Sequence, residues 1–224
     1  MKHQMRLSNL SDCLVFFDFD NTITPFDVLD DMIKRFAADK KWMAFEEAWR
    51  EGRIGSRLCL KGQLESVRVT KPSLFKYLLP IKIDPHFASI FSMLKREGIK
   101  PVILSDSFTP IIEYILRNNG IRGVKVYANN LRFNKDRLVP SFPYQNKHCR
   151  RCAHCKKKNL LRKGIRDKMI IYIGDGLSDI CPSQYSDLVF AKGSLLRHFR
   201  EKKRLCVAFN SLDDIYSYFK GLEK

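Results

Sequence analysis

Cys13-Leu-Val-Phe-Phe17 runs straight into Asp18-Phe-Asp-Asn-Thr22, and this stretch decides the fold. Five apolar residues with no polar alternation read as a strand buried on both faces, whose carboxyl end opens into a polar turn. Outward from it, residues 101–105, 124–127, 169–173 and 188–190 are further short apolar runs, with 205–208 a sixth candidate. Helix-period stretches at 111–118, 159–165, 195–200 and 211–219 separate most of them. Strands alternating with helices predict a parallel, doubly wound α/β sheet of Rossmann-like type.

One region breaks the alternation. Between about 26 and 85 there is no convincing strand, and amphipathic segments at 28–36, 42–49, 56–67 and 73–79 predict short helices in series, followed by another helix at 87–96. The expected division is an α/β core of residues 1–24 and 86–224, with residues 25–85 inserted as a small all-helical cap. Leu131, Phe133, Leu138 and Val139 around Asn134-Lys-Asp136 predict a hairpin over 129–142.

The 224 residues are 45% hydrophobic and 29% charged, which excludes disordered and fibrous classes. No apolar run approaches the ~18 residues of a membrane span. The run at 13–17 is too short for a signal-peptide core and ends in aspartates, so the expected location is the cytoplasm. Seven cysteines, an odd number, read as thiols or metal ligands rather than a disulfide framework. Cys13, Cys59, Cys181 and Cys206 sit in or beside apolar runs and are expected to be buried, as are Met32, Met43 and Met93. Forty-one Lys and Arg against 24 Asp and Glu leave +17, which calls for an anionic partner.

Asp18 and Asp20 stand two apart at a strand end, so their side chains leave the same face. The plain alternative is an Asx-rich turn capping the next helix. Ser105 ends another strand, and Gly174-Asp-Gly-Leu-Ser-Asp179 follows a third. In a parallel sheet all three ends share the edge where ligands bind. Four carboxylates gathered there, Asp18, Asp20, Asp175 and Asp179, would repel one another without a cation, and Mg²⁺ with phosphate oxygens suits such a set.

These residues, with a lysine after the hairpin, resemble the four motifs of the haloacid dehalogenase superfamily, in its phosphoserine-phosphatase-like branch with a helical cap. The cap stretch 49–56 with Cys59, Leu60 and Gln63, the run Cys149-x-x-Cys152-x-x-Cys155-Lys156, and Ser186-Asp-Leu-Val-Phe-Ala191 are similar to 2-hydroxy-3-keto-5-methylthiopentenyl-1-phosphate phosphatase-like proteins. The resemblance implies a Mg²⁺-dependent phosphatase acting on a small phosphorylated metabolite. Asp18 would be the nucleophile and Asp20 the acid and base. Thr22 would steady the Asp20 loop beside the phosphate, and Ser105 and Lys156 would hold phosphoryl oxygens. Asp18, the Asp20 carbonyl and Asp175, supported by Asp179, would hold the metal. Lys157 and Lys158 are alternatives to Lys156. Asp106 stands where many relatives have glycine, as in phosphocholine and phosphoethanolamine phosphatases, and would repel phosphate unless it points away or meets a cationic leaving group. Candidate substrates are methylthiopentenyl phosphate, phosphoserine and phosphocholine or phosphoethanolamine. A phosphotransferase on the same fold is the alternative.

The segment 147–168 carries ten Lys or Arg among Cys149, Cys152, Cys155, His148 and His154. Three thiolates and a histidine could close a zinc site, but the absence of a second separated ligand pair favours a turn that delivers Lys156. The charge also raises a nucleic-acid-binding or polynucleotide-end phosphatase reading, against which stands the lack of interleaved aromatics. The run 197–204 is expected to be an exposed helix end.

Overall fold

The computed structural model describes residues 13–162 and 168–222. Seven strands form one sheet: β1 (Cys13–Phe17), β2 (Val102–Phe108), β3 (Lys125–Asn134), β4 (Arg137–Ser141), β5 (Met169–Gly174), β6 (Leu188–Ala191) and β7 (Val207–Ala208). Their order is β4-β3-β2-β1-β5-β6-β7. Every pairing is parallel except β3 with β4. The chain first builds outward from β1 through β2 and β3, then returns to β5 on the other side of β1. The sheet therefore reverses its winding between β1 and β5, where a cleft opens beyond the strand ends.

The central strands are as buried as their apolar runs require: in β1 only Leu14 is even partly exposed, and Ile171, Tyr172 and Ile173 of β5 are fully buried. The antiparallel hairpin turns at Lys135, a non-glycine residue with φ of 55°. Several boundaries differ from the sequence reading: β3, expected at 124–127, continues to Asn134 as one arm of the hairpin, and β7, expected at 205–208, holds only Val207–Ala208. β2 runs on past Ser105 to Phe108, with an irregular register after Leu104 that re-aims its end. The helix expected at 159–165 instead spans Lys156–Leu160, because it starts directly after the cysteine loop; residues 163–165 lie outside the described residues.

Between β1 and β2 come α1 (Val28–Phe36), α2 (Lys41–Arg50), α3 (Ser56–Glu65), α4 (Lys71–Leu78) and α5 (Pro85–Arg96). Asp27 caps α1 by accepting the Asp30 N–H at 2.8 Å, Thr70 caps α4, and Asp84 caps α5 ahead of Pro85. Among the described residues the only β pairing in this stretch is one bridge, Ala37 with Val67. Val28, Met32, Ile33, Leu64 and Leu74 join the same apolar cluster as Phe17 and Ile171, so these helices are packed onto the sheet rather than hung from it. Met43, expected in the core, is half exposed, because α2 buries little beyond Ala48. The remaining helices are α6 (Thr109–Asn118), α7 (Lys156–Leu160), α8 (Ile180–Ser183), α9 (Gly193–Glu201) and α10 (Leu212–Lys220).

Candidate active site

The turn after β1 is wound tightly around one carbonyl. The N–H groups of Thr22, Ile23 and Thr24 all donate to the Phe19 oxygen, and Asn21 takes the left-handed conformation that Asn tolerates better than most residues. Asp18 is pinned to β5 by its own N–H, which donates to the Ile173 carbonyl at 2.8 Å. Asp20 turns the other way, accepting the Val28 N–H at 2.9 Å, so the head of α1 is tied to the turn.

Lys156 reaches the same point from α7. Its Nζ lies 2.8 Å from Asp18 Oδ1 and 2.7 Å from Asp179 Oδ1, and donates to Ser178 Oγ at 3.0 Å. Asp179 also accepts from the Tyr172 hydroxyl at 2.6 Å and from the N–H groups of Asp175 and Gly176 at 3.0 and 2.9 Å. This carboxylate thus shapes the loop that carries Asp175. A Cβ on Gly174 would lie 2.6 Å from Asp179 Oδ2, so Gly174 makes room for it, whereas Gly176 has ordinary clearance.

Carboxylate oxygens of Asp18, Asp175 and Asp179 all fall within 4.8 Å of one another. Burial, and then the charge of Asp179, raise Asp18 well above the usual carboxylate range and Asp175 to about 7. Burial opposes the charge on Asp179 too, but Lys156 outweighs it and holds that carboxyl low. Burial likewise opposes the charge on Lys156, and Asp179, Asp18 and Asp106 outweigh it and raise the ammonium's pKa. The pair Lys156–Asp179 is therefore ionised, and Asp18 shares that one ammonium while Asp175 is eased by Lys156 and Lys192 from further off. The donor set, hard oxygens with a surplus of negative charge, fits a small divalent ion such as Mg²⁺.

Ser105 and Asp106 sit beside them. Ser105 Oγ accepts the Ser107 N–H at 3.0 Å. Asp106 Oδ1, Ser107 Oγ and Asn129 Oδ1 are buried with no protein partner, and burial raises Asp106 to about 6. Burial also pushes His154 down to about 4, so its imidazole is neutral at pH 7. Its Nδ1, 2.8 Å from the Ser105 carbonyl, must then be the protonated nitrogen, while Nε2 accepts from Asn159 Nδ2 at 2.5 Å. His154 thereby ties the end of β2 to α7. Asp18, Asp20, Ser105, Asp106, Lys156 and Asp175 line one cavity of about 490 Å³, whose far wall comes from α1, α2 and α3.

A family model described as "Putative Phosphatase" matches residues 13–202, most of the chain. This chain belongs to that family and is a phosphatase of the haloacid dehalogenase superfamily. It is 24% identical to a 2-hydroxy-3-keto-5-methylthiopentenyl-1-phosphate phosphatase of Microcystis aeruginosa over 92% of this chain and 96% of the relative. It is 28% identical to a human pyridoxal phosphate phosphatase over 75% and 76% of the two chains, and 25% identical to a polyol phosphate phosphatase of Saccharomyces cerevisiae over 92% of each. A substrate-bound phosphoserine phosphatase superposes with a TM-score of 0.70 at 18% identity, over 92% of this chain and 98% of that one, which shows the shared fold.

In the phosphatase the three consecutive lysines differ in burial. Lys156 is buried among carboxylates, whereas Lys157 and Lys158 are more exposed and Lys157 turns to the Tyr185 hydroxyl and ring. Thr22, expected beside the phosphate, gives its hydroxyl to Asp175 Oδ1 at 3.3 Å and does not line the cavity. Asp20's carboxylate stands outside the three-carboxylate cluster. The run 197–204 is not only a solvated helix end, since Arg197 faces the cavity; Asp27, Asp30 and Glu46 do so as well. Nothing in local sequence marked these four, because they enter through the packing of separate helices. Cys149 and Cys152 come together, but among the described residues Cys155 does not complete a three-ligand cluster with them, and His154 is occupied on both nitrogens. Cys181 is exposed and Cys206 partly so, against the expectation of burial.

Proposed function

We propose that this phosphatase hydrolyses a small phosphate monoester through attack of Asp18 on phosphorus, forming an aspartyl phosphate that water then cleaves. The observation that carries this reading is the Asp18–Lys156–Asp179 array, whose Asp18 and Lys156 line the cavity, with Asp175 within reach of both carboxylates. Asp18 and Asp175 would hold Mg²⁺ together with the Asp20 carbonyl, Asp179 supporting them; the ion supplies positive charge that screens the phosphoryl oxygens.

Lys156, released from Asp18 as phosphate enters, holds a phosphoryl oxygen, and Ser105 Oγ another. Asp20, raised well above the usual carboxylate range by burial and then by Asp27, is able to carry a proton at neutral pH and give it to the departing alcohol. The helices of residues 25–85 act as the cap that excludes water while phosphorus is transferred. Aqueous monoester hydrolysis is slow enough to need accelerations up to ~10²¹, so covalent catalysis, proton transfer and charge neutralisation must act together.

The cavity is small and rich in acid. Asp27, Asp30 and Glu46 outnumber Arg50 and Arg197 away from the reacting end, and Asp106 adds a further acid beside Ser105. Such a wall favours monoesters whose leaving group carries an amine or hydroxyls, and disfavours a polynucleotide. Within the substrates considered, phosphoethanolamine, phosphocholine and phosphoserine rank ahead of methylthiopentenyl phosphate. A metabolite screen with and without Mg²⁺, run beside Asp18→Asn, tests the mechanism. The variant is expected to fold and to lose about 10³-fold or more in kcat; comparable turnover by the two proteins would reject it.

A further inference from the structure

Cys149 and Cys152 flank Arg150 and Arg151 in a basic loop, and their sulfurs lie 3.6 Å apart in a shared hydrogen bond. Both are partly exposed, unlike Cys13, Cys59 and Cys155. A disulfide places its sulfurs about 2.0 Å apart, so closure needs a movement of only about 1.6 Å.

This loop is in direct contact with the helices across the cavity. The Arg151 carbonyl accepts the Ser56 N–H at 2.8 Å and the Ser56 hydroxyl at 3.1 Å, and the Ala153 N–H donates to Ser56 Oγ at 2.8 Å. The fit has no slack, since a Cβ on Gly55 would come within 2.0 Å of the Arg150 carbonyl oxygen. Immediately downstream stand His154, bonded to the Ser105 carbonyl, and Lys156. The two thiols thus bracket the dipeptide that latches the head of α3 to the strip of chain carrying the phosphate-binding lysine.

We propose that Cys149 and Cys152 form a reversible disulfide by exchange with an anionic low-molecular-weight disulfide, and that its closure arches Arg150-Arg151 away from Ser56 and loosens this latch. Lys147, Arg150 and Arg151 supply the positive surroundings that attract such an oxidant. Burial opposes ionisation of Cys149, but the N–H groups of Arg151 and Cys152 outweigh it and lower this thiol's pKa, which makes Cys149 the attacking group. Burial, then Asp106 and Cys149, raise Cys152. Once Cys149 is capped its negative charge is gone, and Cys152 is freer to ionise.

The Cys149 thiolate attacks one sulfur of the external disulfide and expels a thiolate. Cys152 then loses its proton to solvent, attacks the Cys149 sulfur and expels the second thiolate, which is protonated by water. Two protein thiols are oxidised and one external disulfide is reduced to two thiols. Any effect on turnover rests on the phosphatase reading; the disulfide and the latch do not.

The test uses the full chain, reduced and then incubated without oxygen in glutathione disulfide, and reads mass, thiol count and hydrogen exchange, none of which needs a substrate. Two of the seven thiols are expected to disappear with a loss of two hydrogens, the linkage mapping to Cys149–Cys152. Exchange at the Ser56 amide should rise about threefold or more and return with dithiothreitol. Cys152→Ser should instead keep a glutathione adduct at Cys149. Seven persistent thiols, a linkage to Cys155 or Cys181, protection of the pair by stoichiometric zinc, or unchanged exchange at Ser56 would each overturn the proposal.

Discussion

Asp106 shows how much a single buried carboxyl can cost. Its folded value of about 6 exceeds the 3.8 of an ordinary aspartate, so folding takes up a proton between those pH values. The sign follows: stability is greatest below the unfolded value, falls as pH rises toward 6, and stays lower above it. Roughly two pKa units correspond to about 3 kcal/mol at most. Asp106→Asn is therefore expected to stabilise the protein at pH 8 by about 1–3 kcal/mol and to give no gain near pH 4, measured by urea unfolding at both. A uniform effect at the two pH values would mean that packing, not charge, is responsible. Lys156 shows what residue-level reading lacks. The resemblance points to Lys156 with Lys157 and Lys158 as alternatives, and only the direction each leaves α7 decides which one is buried against Asp18.

At the scale of elements, the contact between α3 and the cysteine loop joins the helical stretch between β1 and β2 to the chain that leads into α7. Gly55 precedes α3 and packs against backbone rather than a flexible side chain, so it cannot be enlarged without moving one element. Gly55→Ala is expected to cost about 1–3 kcal/mol and, on the proposed reading in which the helices of residues 25–85 close over the leaving group, to raise KM more than it lowers kcat. Steady-state kinetics beside thermal unfolding would check both. The strands needed no such contact to be recognised. Doubly buried strands show as unbroken apolar runs, and β1, β5 and β6 lie within a residue of where those runs predict them. β2 and α7 were misplaced because a register irregularity and a polar loop set their ends, and neither has a periodic signature.

The whole molecule carries +17, yet its cavity is lined by more acids than bases. If the outer charge steers anionic esters, kcat/KM should fall several-fold between low salt and about 0.5 M, where the Debye length shrinks to a few ångströms. A flat dependence would leave the positive charge to another role. The crowded carboxylates imply a second global effect. Mg²⁺ at about 100 times its dissociation constant should add roughly 2.7 kcal/mol to stability, seen as a higher Tm, and Asp175→Asn should lose most of that shift.

The order of strands and helices, the gathering of Asp18, Ser105 and Asp175 at one sheet edge, and the resemblance to a phosphatase superfamily were all determined by sequence alone. Apolar periodicity reports burial, and parallel winding forces successive strand ends onto one edge. The burial of Lys156 between Asp18 and Asp179, the diversion of Thr22 to Asp175, the His154 tie and the entry of Asp27, Asp30, Glu46 and Arg197 into the cavity were decided by tertiary structure. Those depend on the direction of single side chains between elements far apart in the chain, and no local pattern encodes such directions.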